Sequence, residues 1–165
     1  MSPRTRPATP ADAEFLTRML VEAADWRHDE TSNPGRRDEA LSKEKVARYI
    51  LGWGRDGDDG IVAIDGDDAP IGACWLRLFP AEAPAYGFVA PDIPELAIGV
   101  AAGRRGKGLG RTLMRQTLDL ARAKGYRGVS LSVDHDNPAR NLYLGEGFVV
   151  AESRDTAATM ITFLD

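Results

Sequence analysis

"GRRGKGLGRTL", residues 103–113, decides how this chain is to be read. Glycines 103, 106, 108 and 110 alternate with basic residues, and an apolar pattern then begins. Leu109, Leu113 and Leu120, with Met114, Leu118 and Ala121, form a wide stripe at helical spacing, which predicts a helix over 109–124 stopped by Gly125. Ahead of the glycines, "PELAIGVA" (94–101) reads as a strand with Leu96, Ile98 and Val100 on one face. The first amides of a helix have no partner inside it, and the helix dipole adds partial positive charge there. Glycines let such amides converge on an anion without a Cβ in the way. Both familiar nucleotide loops fail on spacing. Gly103 and Gly108 match the start of a P-loop, but Leu109 and Gly110 stand where Lys and Ser/Thr are required. Gly106 and Gly108 begin a dinucleotide fingerprint, but Arg111 takes its third glycine position; starting from Gly108 puts Leu113 there.

The rest of the chain narrows the choice. Its 165 residues match one ordinary domain with apolar content for a proper core. A net charge of −4 argues against a nucleic-acid partner, so Arg104, Arg105, Lys107 and Arg111 stand out as a basic cluster on an acidic background. Cys74 is the only cysteine, which excludes an intrachain disulfide and a cysteine zinc cage. His28 and His135 lie too far apart for a metal motif, so no metal is expected. The start, "MSPRTRPATPADAEF", has no apolar core of a signal segment, and no later run is long enough to span a bilayer. A soluble protein of the reducing cytoplasm, with no membrane partner, is expected.

"ADAEFLTRMLVEAADW" predicts a first helix, the polar segment 27–39 with Asn33-Pro34-Gly35 a loop, and "LSKEKVARYILGW" a second helix capped by Ser42 and ended by Gly52 and Gly54. "GIVAID" and "APIGACWLRLF" read as a hairpin around Asp65-Gly66-Asp67-Asp68, followed by a long Pro/Ala connection holding Tyr86 and Phe88. "GVSLSV" alternates Val129, Leu131 and Val133 with serines, as in a half-buried strand. "NPARNLYLGEGF" predicts a short helix with Asn137 at its cap, and two strands follow near 148–153 and 157–163.

What the glycine stretch does fit is Arg-x-x-Gly-x-Gly, Arg105 to Gly110. With "ELAIGV" before it and "LSVDHDNPARNLYLGEGF" after it, the chain resembles the GNAT superfamily of acyl-coenzyme A-dependent N-acetyltransferases. The resemblance is tight from Glu95 to about Val150; earlier residues match only in the order strand, helix, helix, strand, strand. It implies an α/β (α+β) fold in one domain, 1–165. The mixed, mostly antiparallel sheet should have about six to seven strands, flanked by about four helices, with the fourth and fifth strands splayed. Acetyl-CoA is the implied cosubstrate and a small-molecule or peptide amine the implied acceptor; homodimers are frequent in the family, so a homodimer is left open.

Carried over to this sequence, the backbone of Ile98, Gly99 and Val100 holds the pantetheine arm. The amides of Arg105, Gly106, Lys107, Gly108, Leu109 and Gly110 cradle the pyrophosphate, with charge from Arg105 and Lys107, and Asn137 borders the slot. The resemblance nominates Tyr143 as general acid toward the leaving thiolate and Glu95 as general base, through a water. A primary ammonium, with pKa ~10.4, must lose a proton before it attacks. Gly145 and Gly147, flanking Glu146, depart from the family pattern and are expected to loosen the helix carrying Tyr143. Cys74 reads as a core residue, and His135 as lying at the cleft mouth. Trp26, Trp53, Tyr86 and Phe88 are candidate walls of the acceptor site, with Asp25, Asp29, Glu30 and Asp92 as attractors of a cationic amine. The remaining alternative is a non-catalytic acyl-CoA-binding sensor or interaction module.

Overall fold

The computed structural model describes residues 3–24 and 34–164. In chain order these form β1 (Arg4–Pro7), a 3-10 turn (Pro10–Asp12), α1 (Ala13–Ala24), α2 (Pro34–Leu41), α3 (Glu44–Ala47), β2 (Asp59–Ile64), β3 (Pro70–Arg77) and β4 (Glu95–Val100). Then come α4 (Leu109–Ala123), β5 (Gly128–Asp134), α5 (Ala139–Gly145), β6 (Val149–Ser153) and β7 (Ala157–Phe163). The strands make a seven-stranded sheet in the order β1-β2-β3-β4-β5-β7-β6. Every neighbouring pair is antiparallel except β4 and β5, which run parallel and meet at a single position, Glu95 opposite Ser130. That is the expected mixed sheet with its splay. No described helix is long and apolar enough to cross a membrane.

Strand alternation sends residues to two cores. On one face Phe15, Leu16 and Met19 of α1 pack with Tyr49, Ala73 and Trp75. On the other, Leu113, Met114 and Leu118 of α4 pack with Cys74, Leu76, Leu96, Leu131 and Val133. Gly99 is needed where α1 crosses β4, because a Cβ there would lie 2.4 Å from the Met19 carbonyl oxygen.

Three local readings change. Residues 34–39 are helical, not loop: Pro34 opens α2, a position where its missing N–H goes unmissed. Ser42 caps nothing, since its hydroxyl donates to the Glu39 carbonyl (2.7 Å), and α3 starts after Lys43. The run beyond α3 tightens to i→i+3 bonds and ends where buried Arg77 donates to the orphan carbonyls of Arg48 (2.9 Å) and Leu51 (2.6 Å). β5 is buried on both faces at Ser130, not half-buried, because the segment around Gly87 lies on its backbone: a Cβ on Gly87 would sit 2.5 Å from the Leu131 carbonyl carbon.

Candidate active site

Where β4 and β5 part, a cleft of about 1670 Å³ opens between the two halves of the sheet, well above the usual range of ~300–1,000 Å³ for a ligand pocket. Ile98, Gly99 and Val100 line it along β4, and Ser132, Val133 and Asp134 line it along β5. One end reaches the glycine loop, where Arg105, Gly106, Gly108, Leu109 and Gly110 form the wall. Asn137 lies on the wall, and its side-chain oxygen accepts from the Ala139 amide at 2.9 Å, which satisfies the start of α5. Lys107 does not line the cleft.

The loop's glycines serve backbone shape. Gly106 (φ +78°) and Gly108 (φ +81°) are left-handed, and a Cβ on either would meet nothing within 4 Å. A side chain would have room at either position, so what these glycines supply is the left-handed turn; Gly108 turns the chain into α4, whose first-turn amides have no partner inside the helix. The basic cluster is largely engaged. Arg105 donates to Glu22 of α1 (2.7 Å) and to the Val100 carbonyl (3.2 Å); Arg104 pairs with Asp65 (3.2 Å) and Arg111 with Glu146 (3.4 Å).

Tyr143 lines the cleft from α5, 7% exposed. The expected loosening of this helix does not occur. Gly147 takes φ +97°, its amide bonds the Leu144 carbonyl, and the Phe148 amide bonds the Tyr143 carbonyl at 3.0 Å. This is a Schellman stop, and its customary apolar contact is the Tyr143–Phe148 ring pair, 6.1 Å between centroids. The "LYLGEGF" stretch thus fixes the tyrosine ring through its own helix end. Burial, with the Cys74 sulfur nearby, raises the hydroxyl above its ordinary pKa, so it stays protonated; among the described residues it has no hydrogen-bond partner. Cys74 is fully buried, and burial pushes its thiol up to about 12 against a weaker pull from Thr117, which leaves it inert as a nucleophile.

Glu95 is the first residue of β4. It is 1% exposed and stands behind the cleft wall, not on it. Its Oε1 accepts from the Tyr49 hydroxyl (2.8 Å) and the Gly87 amide (2.8 Å), while Oε2 is buried with no hydrogen-bond partner among the described residues. Burial raises its pKa to about 7; the donors Tyr49 and Gly87 hold it from going higher, and the Ala85 amide dipole and Lys45 charge add smaller pulls. Sequence reasoning missed Tyr49, which sits in a helical apolar run and looks like core, and Gly87, whose demand for glycine appears only once β5 is in place.

The candidate acceptor residues disperse. Tyr86 lines the cleft, but Phe88 packs into the α1-side core, Trp53 donates to the Thr9 carbonyl (2.9 Å) away from it, and Asp92 pairs with Arg127 (2.6 Å). Asp25, Trp26, His28, Asp29 and Glu30 lie outside the described residues. His135 is exposed and off the cleft wall, its Nε2 2.5 Å from the Arg154 carbonyl. Arg154, which the sequence did not flag, lies on the wall and reaches Thr159 (2.6 Å) and Ser132 (3.2 Å). Among the described residues no three His, Cys, Asp or Glu side chains converge as a metal site.

The splayed parallel strand pair, the left-handed glycine loop ahead of α4 and the buried Tyr143 all border one cleft. Residues 20–148 match the acetyltransferase (GNAT) family, and the chain belongs to it. It is 38% identical over 89 residues to a mycothiol acetyltransferase of Beutenbergia cavernae, covering 53% of this chain and 27% of that one. It is 37% identical over 98 residues to a streptothricin acetyltransferase of Streptomyces lavendulae, covering 58% and 52%. The chain thus spans only about a quarter to a half of these curated relatives. In fold it is similar to the PaiA N-acetyltransferase of Thermoplasma acidophilum, solved with coenzyme A, at a TM-score of 0.72 and 19% identity over 99% of this chain and 100% of that one.

Proposed function

We propose that residues 1–165 form one N-acetyltransferase domain that moves an acetyl group from acetyl-CoA to a primary amine directly, with both substrates bound together. The observation that carries this reading is the single cleft shared by the open β4 edge, the left-handed glycine amides and the Tyr143 hydroxyl. The residues suit the cosubstrate: the amides at 106–110, with Arg105 released from Glu22, would hold the pyrophosphate. The β5-facing edge of 98–100, which lies beyond the one β4–β5 bridge and pairs with no strand on that side, would hold the uncharged pantetheine arm. Membership of the family, the names of both curated relatives and the coenzyme A bound to the structural neighbour support it.

In this reading the ammonium gives one proton to Glu95 and its lone pair attacks the acyl carbon, polarised by an amide near Ile98 or Gly99. The carbon–sulfur bond breaks, Tyr143 donates its proton to the departing thiolate, and Tyr143 is reprotonated from the former amine nitrogen. Placing both reactants in one cleft removes the need for a covalent acyl-enzyme. The acceptor is a small molecule or peptide amine.

A thermal-shift titration with acetyl-CoA, with ATP and NAD as controls, tests the proposal. Ligand at ~100 times its Kd adds about 2.7 kcal/mol, a rise of several degrees. A shift specific to acetyl-CoA, followed by thiol release with an amine, supports it. Absence of any shift at millimolar ligand overturns it, and binding without turnover of any amine favours the sensor alternative.

A further inference from the structure

Glu95 is enclosed, yet the proposed reaction needs a proton to reach it from the cleft. We infer that Tyr49 is the gate: its hydroxyl passes the substrate ammonium's proton to Glu95, so that the two act as one base. The inference rests on the acetyltransferase reading and deepens it. Tyr49, 8% exposed, lines the cleft, whereas Glu95 does not, and the Tyr49 hydroxyl already donates to Glu95 Oε1 at 2.8 Å. The ring is fixed edge-on against Phe79, 5.5 Å between centroids, so the donor is preorganised. Gly87, pinned on β5, supplies the second donor to the same oxygen.

The step balances. One ammonium N–H proton moves to Tyr49 Oη as the tyrosine's own proton moves to Glu95 Oε1; the amine keeps the electron pair, Tyr49 is unchanged and Glu95 becomes neutral. No free tyrosinate forms, in keeping with a hydroxyl whose burial and carboxylate neighbour hold its pKa well above the ordinary value. The reverse transfer returns the proton to the cleft after the product leaves.

Among the described residues, no side chain other than Tyr49 hydrogen-bonds Glu95. Lys45 of α3 favours the charged carboxylate. Arg77 of β3, the register partner of Glu95, is committed to Asp58 (2.7 Å) and two carbonyls. Ser130 of β5 faces Glu95 across the one β4–β5 bridge with a buried hydroxyl that has no partner among the described residues, and Tyr86 flanks the cleft side.

The test uses the intact protein with acetyl-CoA and a panel of amines: spermidine, kanamycin, lysine and a free-amino tripeptide. Tyr49→Phe keeps the ring and its packing. It should lower kcat by roughly 100-fold with KM for acetyl-CoA unchanged, and it should remove the limb of the pH–rate profile that rises through about 7. Glu95→Gln should do the same, and the double variant should be no slower than Glu95→Gln, because paired groups acting as a unit are not additive. The wild-type rate in mixed light and heavy water should show two protons in flight. Losses that multiply, an intact pH limb in Tyr49→Phe, or a one-proton isotope dependence in the wild type each overturn the gate while leaving the acetyltransferase reading standing. A wild type that acetylates none of the panel overturns both.

Discussion

Replacing Glu95 by glutamine gives the sharpest test of the buried carboxylate, because it needs no substrate. A glutamate has an ordinary pKa of 4.5, and burial raises that of Glu95 to about 7 in the fold. As pH rises between those values the unfolded chain releases this proton first, so the folded state binds more protons and stability falls. The contribution is whole below the lower value and gone above the upper one. A gap of about 2.5 at 1.36 kcal/mol per pH unit amounts to about 3 kcal/mol. The substituted amide can still accept from Tyr49 and Gly87 but does not titrate, so subtracting the variant's profile from the wild-type profile cancels the other groups. Urea unfolding from pH 4 to 8 should show the wild type losing about 2–3 kcal/mol relative to Glu95→Gln across this window. A difference that stays within about 0.5 kcal/mol, the range of a surface substitution, would falsify the buried-carboxylate argument.

Three other outcomes follow from the geometry. Tyr143→Phe should lower kcat by about 100-fold or more, while the unfolding midpoint barely moves, because its hydroxyl has no partner among the described residues; steady-state kinetics beside a melting curve reads both. Gly108→Ala forces a Cβ into a left-handed backbone and should destabilise by about 1–2 kcal/mol while weakening acetyl-CoA binding in calorimetry; unchanged affinity would count against the cradle. Gly87→Ala puts a Cβ 2.5 Å from the β5 backbone, so it should destabilise by about 2 kcal/mol or more, and rates near pH 7 should drop as the amide donor to Glu95 is displaced.

Most of the architecture was legible because the second half of the chain punctuates itself. Apolar alternation in β4 and β5, the stripe of α4 and the glycines at 103–110 each have one dominant reading, and all of them agree. The first half was harder. Pro34-Gly35 signals a turn in sequence yet opens α2, and β1 is four residues with no alternation to find. At the site, residues picked out by local pattern line one cleft: Arg105, Gly106, Gly108, Leu109 and Gly110 of the loop, with Asn137 and Tyr143, but not Lys107. What escaped depends on tertiary contact. Nothing in "VARYI" sets Tyr49 apart from core, and the burial of Glu95 follows from a covering segment whose tight fit on β5 no local pattern records. Trp53 and Phe88 were candidates by residue type alone, and packing claimed them.

The single Glu95–Ser130 bridge also bears on cohesion. β1 to β4 form one continuous hydrogen-bonded ladder and β5, β7 and β6 another, joined besides by the side-chain core beneath α4 and by the Gly87 segment lying on β5. The two ladders, which meet at this seam, are therefore expected to open as separate cooperative units in the free protein, which amide exchange would distinguish. A ligand lying along that seam becomes the stitch: it turns two units that open separately into one that opens as a whole.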